Sequence, residues 1–128
     1  MADPTPPEPG RYAYDGLDRT LHEKGRLGIL TALVTRPEGV TFTELARMCA
    51  LTEGNLSRHL DRLANDGLVD VHKGYDRRRP LTTCTLTALG RRRFRDYLTQ
   101  LEQVLRDAAT EEDAEVEQKQ IRPGLAGA

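Results

Sequence analysis

The chain has 128 residues, 19 Lys and Arg against 20 Asp and Glu, two cysteines and no Trp. This length points to one domain, and the scarcity of aromatics leaves Leu and Val to fill its core. The longest nearly apolar run, LGILTALV at 27–34, is too short to cross a bilayer. The acidic, proline-rich start lacks the basic-then-apolar order of a secretory signal. A soluble, cytoplasmic protein with no membrane partner is expected.

Cys49 and Cys84 form no CxxC and have no ligand spacing with His22, His59 or His72. Two free, partly buried thiols are expected, with no metal and no cofactor. The net charge of −1 is unevenly spread: the stretch 111–128 carries five acids against Lys119 and Arg122, and the first ten residues carry Asp3 and Glu8. Residues 11–110 therefore hold a positive balance, rich in Arg, which suits bidentate contacts to phosphate or guanine.

In chain order, residues 1–14 open as a proline-rich arm in which disorder is expected. A domain over 15–110 follows, then an acidic flexible tail over 111–128. Leu17, Leu21, Leu27, Leu30, Leu33 and Val34 fall at helical spacing and predict a first helix over 17–35, weakened near Gly25 and ended by Pro37 and Gly39. Val40 has room for a single strand rung. Thr41 and Glu44 have capping-box spacing at the start of a second helix, with Leu45 and Met48 facing inward.

After a tight turn at Ala50–Leu51, Thr52 caps a third helix. Its buried stripe is Leu56, Leu60 and Leu63, and Gly67 is the residue just past its end. Val69 and Val71, then Cys84 and Leu86, alternate as two strands of a hairpin, with GYDRRRP as a polar loop longer than a tight turn. Thr87 opens a long last helix, on which Phe94, Tyr97, Leu98, Leu101, Val104, Leu105 and Ala108 make a sustained apolar seam. The predicted class is mainly α with a small β-hairpin (α+β): a winged helix-turn-helix with a long C-terminal dimerisation helix.

On the third helix, Gly54, Asn55, Arg58 and Arg62 fall opposite the Leu stripe, with Ser57 and Asp61 on one flank. Such a face suits the major groove. Arg pairs with guanine O6/N7 and Asn with adenine N6/N7, while a glycine admits close approach and Thr52 and Ser57 are sized for phosphate. Lys73, Arg77, Arg78 and Arg79 put a basic cluster on the hairpin loop, suited to backbone or minor-groove contact. RRRFR at 91–95 reads mainly as solvated surface, and His59 as a packing or phosphate-adjacent side chain.

These motifs carry a resemblance. LHEKGRLGIL, GNLSRHLDRLANDGLV and RRPLTTCTLTALGRRRF, in this order between about Leu17 and Leu105, resemble the winged-helix transcriptional regulators of the MarR/ArsR-like group. The resemblance implies a three-helix winged-helix core, homodimerisation through the terminal helices and sequence-specific operator binding. It implies DNA contacts at Asn55, Ser57, Arg58 and the wing arginines. Metal-sensing members carry a CxC near the start of the recognition helix, whereas Cys49 here has no second cysteine nearby.

The expected function is therefore a transcriptional regulator, in the first instance a repressor, that binds a palindromic operator as a homodimer. The expected DNA-binding residues are Thr52, Gly54, Asn55, Ser57, Arg58, Arg62, Lys73, Arg77, Arg78 and Arg79. The expected dimer interface is Leu17, Leu21, Phe94, Leu98, Leu101, Leu105 and Ala108. The partners are double-stranded DNA, a second copy of the chain and an unidentified small-molecule effector. No catalytic residue is expected, because no phosphate loop, metal cluster or nucleophile–base pair is visible. The competing classes are a protein-interaction winged helix, which needs an exposed apolar patch on the third helix or wing, and a ligand- or redox-sensing regulator of the same fold.

Overall fold

The computed structural model describes residues 8–109. The elements run α1 (Lys24–Val34), β1 (Val40–Thr41), α2 (Phe42–Cys49), α3 (Glu53–Asn65), β2 (Val69–Asp76), β3 (Arg79–Leu86) and α4 (Ala88–Ala108). Side-chain oxygens cap all four helices. Thr41, Thr52 and Thr87 accept from the backbone N–H three residues on, and Glu23 accepts from Gly25 and Arg26 at the start of α1. Only half of the capping box at Thr41 is made, because the Glu44 carboxylate binds Arg47 instead.

One core joins the elements: Ile29, Leu30 and Leu33 from α1, Leu45 from α2, Leu56, Leu60 and Leu63 from α3, Leu68, Val69 and Cys84 from the sheet region, and Phe94 and Tyr97 from α4. Burial of one such Leu contributes about 1.5–3 kcal/mol. The sheet is antiparallel in the order β1-β3-β2, with β1 adding only Val40 and Thr41 along β3.

The corner between α3, β2 and α4 is tightly stitched. Gly67 lies at φ +76 just past the end of α3. Its carbonyl accepts from Thr87 Oγ1 at 2.7 Å, and the Thr87 N–H donates to the Leu68 carbonyl at 3.0 Å. Gly90 then brings α4 against the same backbone, where a Cβ would sit 2.0 Å from the Leu68 carbonyl oxygen.

Several expectations are corrected. The first helix begins at Lys24, not at Leu17. Residues 10–22 instead form a strap of turns lying on α4, and Leu21 reaches the core from it. The described part of the 1–14 arm is tied to α4. Arg11 donates to both Asp107 carboxylate oxygens at 2.9 and 2.6 Å, and the Tyr14 hydroxyl donates to the same carboxylate at 2.7 Å. Residues 1–7, and the tail expected over 111–128, lie outside the described residues.

Further along the strap, Asp18 pairs with Arg93, and His22 Nδ1 lies 2.7 Å from the Tyr97 hydroxyl. Met48 is 37% exposed rather than inward, because α2 stops one residue later and turns through Ala50 at φ 53. The GYDRRRP loop does not exist as a loop. The strands continue to Asp76↔Arg79, leaving a two-residue turn at Arg77–Arg78. Arg77 has φ 62, at the first central position, where two-residue hairpin turns require a positive φ.

The dimer seam is also altered. Leu21 and Phe94 are 1% and 2% exposed within the single chain and belong to its own core, so neither is free to face a second copy. Leu17 and Leu101 are partly buried against that core. Leu98, Leu105 and Ala108 remain exposed on α4.

Candidate nucleic-acid interface

The first two turns of α3 carry the candidate reading face. Leu56, Leu60 and Leu63 point into the core, and this fixes Thr52, Gly54, Ser57 and Arg58 outward, all exposed, with Asn55 half-buried. Thr52 Oγ1 accepts from the Asn55 N–H at 3.2 Å. The helix N-terminus and its partial positive charge lie at the same end. A Cβ at Gly54 would meet nothing within 4 Å. The chain's own packing therefore gives no reason for a glycine there, and the space is open to an approaching body.

Arg62 stands apart from this group. Its Nε donates to Asp66 and its Nη2 to Thr20 Oγ1, each at 3.3 Å, which turns it towards the strap and the far end of α3. His59 is packed, with its ring above Gly25 at the start of α1 and Nδ1 3.5 Å from Glu23.

The hairpin register sorts the wing residues by face. Val69, Val71, Lys73 and Tyr75 alternate on one face of β2, with Leu86, Cys84, Thr82 and Pro80 opposite them on β3. This face looks towards α3. A cleft between them is lined by Phe42, Ser57, Leu60, Asp61, Ala64, Val71, Lys73 and Thr82. Arg79 lies on the other face beside Asp76, while Arg77 and Arg78 form the tip. The basic cluster read as one loop is thus divided: Lys73 beside α3, two arginines at the end and one behind.

Tyr75, 76% exposed on the face of Lys73, escaped the sequence reading, because a residue inside a supposed loop is given no face. Its alternation with Val69, Val71 and Lys73 was the available signal. Arg58, Lys73, Arg77, Arg78 and Arg79 have no carboxylate within ion-pair distance among the described residues, whereas Arg11, Arg47, Arg62 and Arg93 do.

Burial governs the thiols. It pushes the Cys49 thiol above its ordinary value and the Cys84 thiol up to about 11. The thiolate needed for oxidant sensing is disfavoured at both positions. Among the described residues no three His, Cys, Asp or Glu side chains are grouped to hold a metal ion, and no helix is long and apolar enough to cross a membrane.

Residues 26–105, from α1 through most of α4, match the family model described as a winged helix DNA-binding domain. The chain belongs to this family. No curated protein matches it. Among solved structures, this winged-helix protein is similar to a transcriptional regulator homologue from Pyrococcus horikoshii. The two are 29% identical over 73% of this chain and 91% of that one, with a TM-score of 0.68. It is also similar to the transcriptional regulator MOSR of M. tuberculosis, solved with DNA, at 25% identity over 90% and 84% of the two chains and a TM-score of 0.59. YusO from Bacillus subtilis shares the fold at 20% identity, 90% and 82% coverage and a TM-score of 0.68.

Proposed function

We propose that this winged-helix protein is a sequence-specific transcriptional regulator that acts as a repressor on a palindromic operator. α3 enters a major groove through the face Thr52, Gly54, Asn55, Ser57 and Arg58. Lys73 and the tip arginines hold the flanking phosphates or the adjacent minor groove. The observation that carries this reading is a juxtaposition: Arg58 on α3 and Lys73, Arg77 and Arg78 on the wing, none with a carboxylate partner among the described residues, stand beside a helix terminus left clear at Gly54. Arg62 has a lesser part, since Asp66 and Thr20 hold its guanidinium.

A protein-interaction module would need an apolar patch here. The exposed face of α3 offers no large apolar residue, only Ala64 among polar ones, and Tyr75 and Leu81 of the wing lie on opposite faces. Titration of duplex DNA at two salt concentrations tests the reading. Affinity should fall steeply as salt rises, because each neutralised phosphate releases condensed counterion. Salt-insensitive or absent binding would sink it.

The operator reading needs a dimer, because one subunit offers too few base contacts for a tight complex. The surface proposed for the second copy is the exposed stripe Leu98, Leu105 and Ala108 of α4, flanked by half-buried Leu17 and Leu101. A two-fold pair would set its reading helices about 34–36 Å apart, one turn of duplex. Leu105 is 65% exposed, so Leu105→Glu tests the stripe with little cost to the subunit's own core. Sedimentation should show a dimer for the wild type and a monomer for the variant. A wild type that sediments as a monomer at tens of micromolar would remove the palindrome from the proposal.

A further inference from the structure

The first turn of α3 holds a ladder of hydrogen bonds that runs outward from its cap. Thr52 Oγ1 accepts from the Asn55 N–H, and Asn55 Oδ1 accepts from Arg58 Nη2. A guanidinium has donors and no acceptor, so the amide oxygen must face it, and Nδ2 is left pointing away. With one lone pair of Oδ1 taken by Arg58, the pair offers mainly N–H groups: the Asn55 amide donors and the remaining Arg58 donors. Gly54 beside them leaves the first turn unobstructed.

We infer that Asn55 and Arg58 form one donor-rich unit that selects guanine at one position of each half-site, Asn55 positioning Arg58 rather than reading adenine. This rests on the placement of α3 in the major groove. Guanine is the base whose major-groove edge presents two acceptors, N7 and O6. Adenine presents N7 beside the N6 amino donor, and against this unit that donor would meet the Arg58 N–H groups. Donor facing donor leaves both unsatisfied in a desolvated interface, which costs more than the absence of a contact. An Asn free of Arg58 would favour adenine, because its oxygen accepts from N6 while its nitrogen donates to N7. The bond to Arg58 aligns that oxygen with a donor of the chain's own.

The test is selection of bound sequences from a random duplex library by the full chain, as wild type, Asn55→Ala, Asn55→Asp and Arg58→Ala. The wild-type motif should contain one guanine column per half-site that Arg58→Ala erases. Asn55→Ala should weaken the same column about 2- to 10-fold, the range of one hydrogen bond, and leave the other columns alone. Asn55→Asp keeps an acceptor against the guanidinium. It should retain the guanine column while its added negative charge lowers affinity for every sequence.

A check that needs no variant fold uses 7-deazaguanine in that column, which removes N7 and should weaken wild-type binding. The inference is overturned if Asn55→Ala erases an adenine column and spares the guanine, or if 7-deazaguanine binds as well as guanine. A wild type that enriches no motif at all overturns the major-groove placement itself.

Discussion

Arg11 and Arg93, on the strap side of the molecule, each meet a carboxylate of the same chain, Asp107 and Asp18. Arg58 on α3 and Arg77, Arg78 and Arg79 on the wing meet none among the described residues. The first group answers a structural need, since neutralised charge holds a segment without regular secondary structure against α4. Under the proposed function the second group meets an external anion instead. Arg19, Lys24, Arg36, Arg91, Arg92 and Arg95 have no such partner among the described residues either, so what sets the α3–wing side apart is its unpaired cations together with the helix terminus left clear at Gly54.

The comparison can be broken most forcefully at the corner the two sides share. Gly90→Ala puts a methyl group into the Leu68 carbonyl, with backbone on both sides of the clash. We expect a stability loss of about 3 kcal/mol or more by denaturant unfolding. A loss below about 1 kcal/mol would show that α4 can lift from the corner at little cost.

Arg58→Ala should instead leave unfolding unchanged and lower specific DNA affinity by about 1–3 kcal/mol, relaxing one position per half-site. Replacing Arg77, Arg78 and Arg79 together with Ala should weaken binding to all sequences and flatten its salt dependence by up to about three counterions per subunit. Because Arg79 lies on the far face of the wing, Arg79→Ala alone should change the slope less than Arg78→Ala. An unchanged slope in the triple variant would detach the wing tip from the DNA backbone.

The smallest effect is expected on the strap side. Hydrogen bonds from Arg11, then Tyr14, hold the Asp107 carboxyl far below the usual carboxylate range. A depressed folded-state pKa stabilises the fold above the unfolded value, about pH 3.9, and that contribution is lost as pH falls through the folded value. Asp107→Asn should therefore melt slightly below the wild type at neutral pH, and the two curves should converge in strong acid, with DNA affinity unaltered. A constant gap at all pH values would show that the carboxylate charge does not hold the strap.

Much of this architecture was legible because it rests on local chemistry. The threonine caps at 41, 52 and 87 and the Leu56, Leu60, Leu63 stripe need only neighbours in sequence. Leu17 and Leu21 misled because helical spacing is also met by a chain that coils through successive turns. The true cap, Glu23, is not one of the favoured N-cap types. The wing turn was missed because it lacks the Asn-Gly or Asp-Gly signal of short hairpins, with Arg77 adopting φ 62 instead. The proposed reading face of α3 was visible as a pattern. Its internal bonds were not: Arg62 leaves the face because Thr20, distant in sequence, lies within its reach.

The two-residue turn has a geometric consequence. Beyond Val71, the last wing residue packed against the core, β2 continues through five more residues to Asp76, all exposed and all paired with β3. At about 3.4 Å per residue the tip stands roughly 17 Å from that anchor. Half a turn of duplex has the same length, since a full turn rises about 34 Å. A hydrogen-bonded ribbon fixes such a span, whereas an irregular loop would sample many. With α3 seated in one major groove as proposed, this reach is long enough to bring Arg77 and Arg78 to the neighbouring minor groove, a ruler set by the number of paired residues.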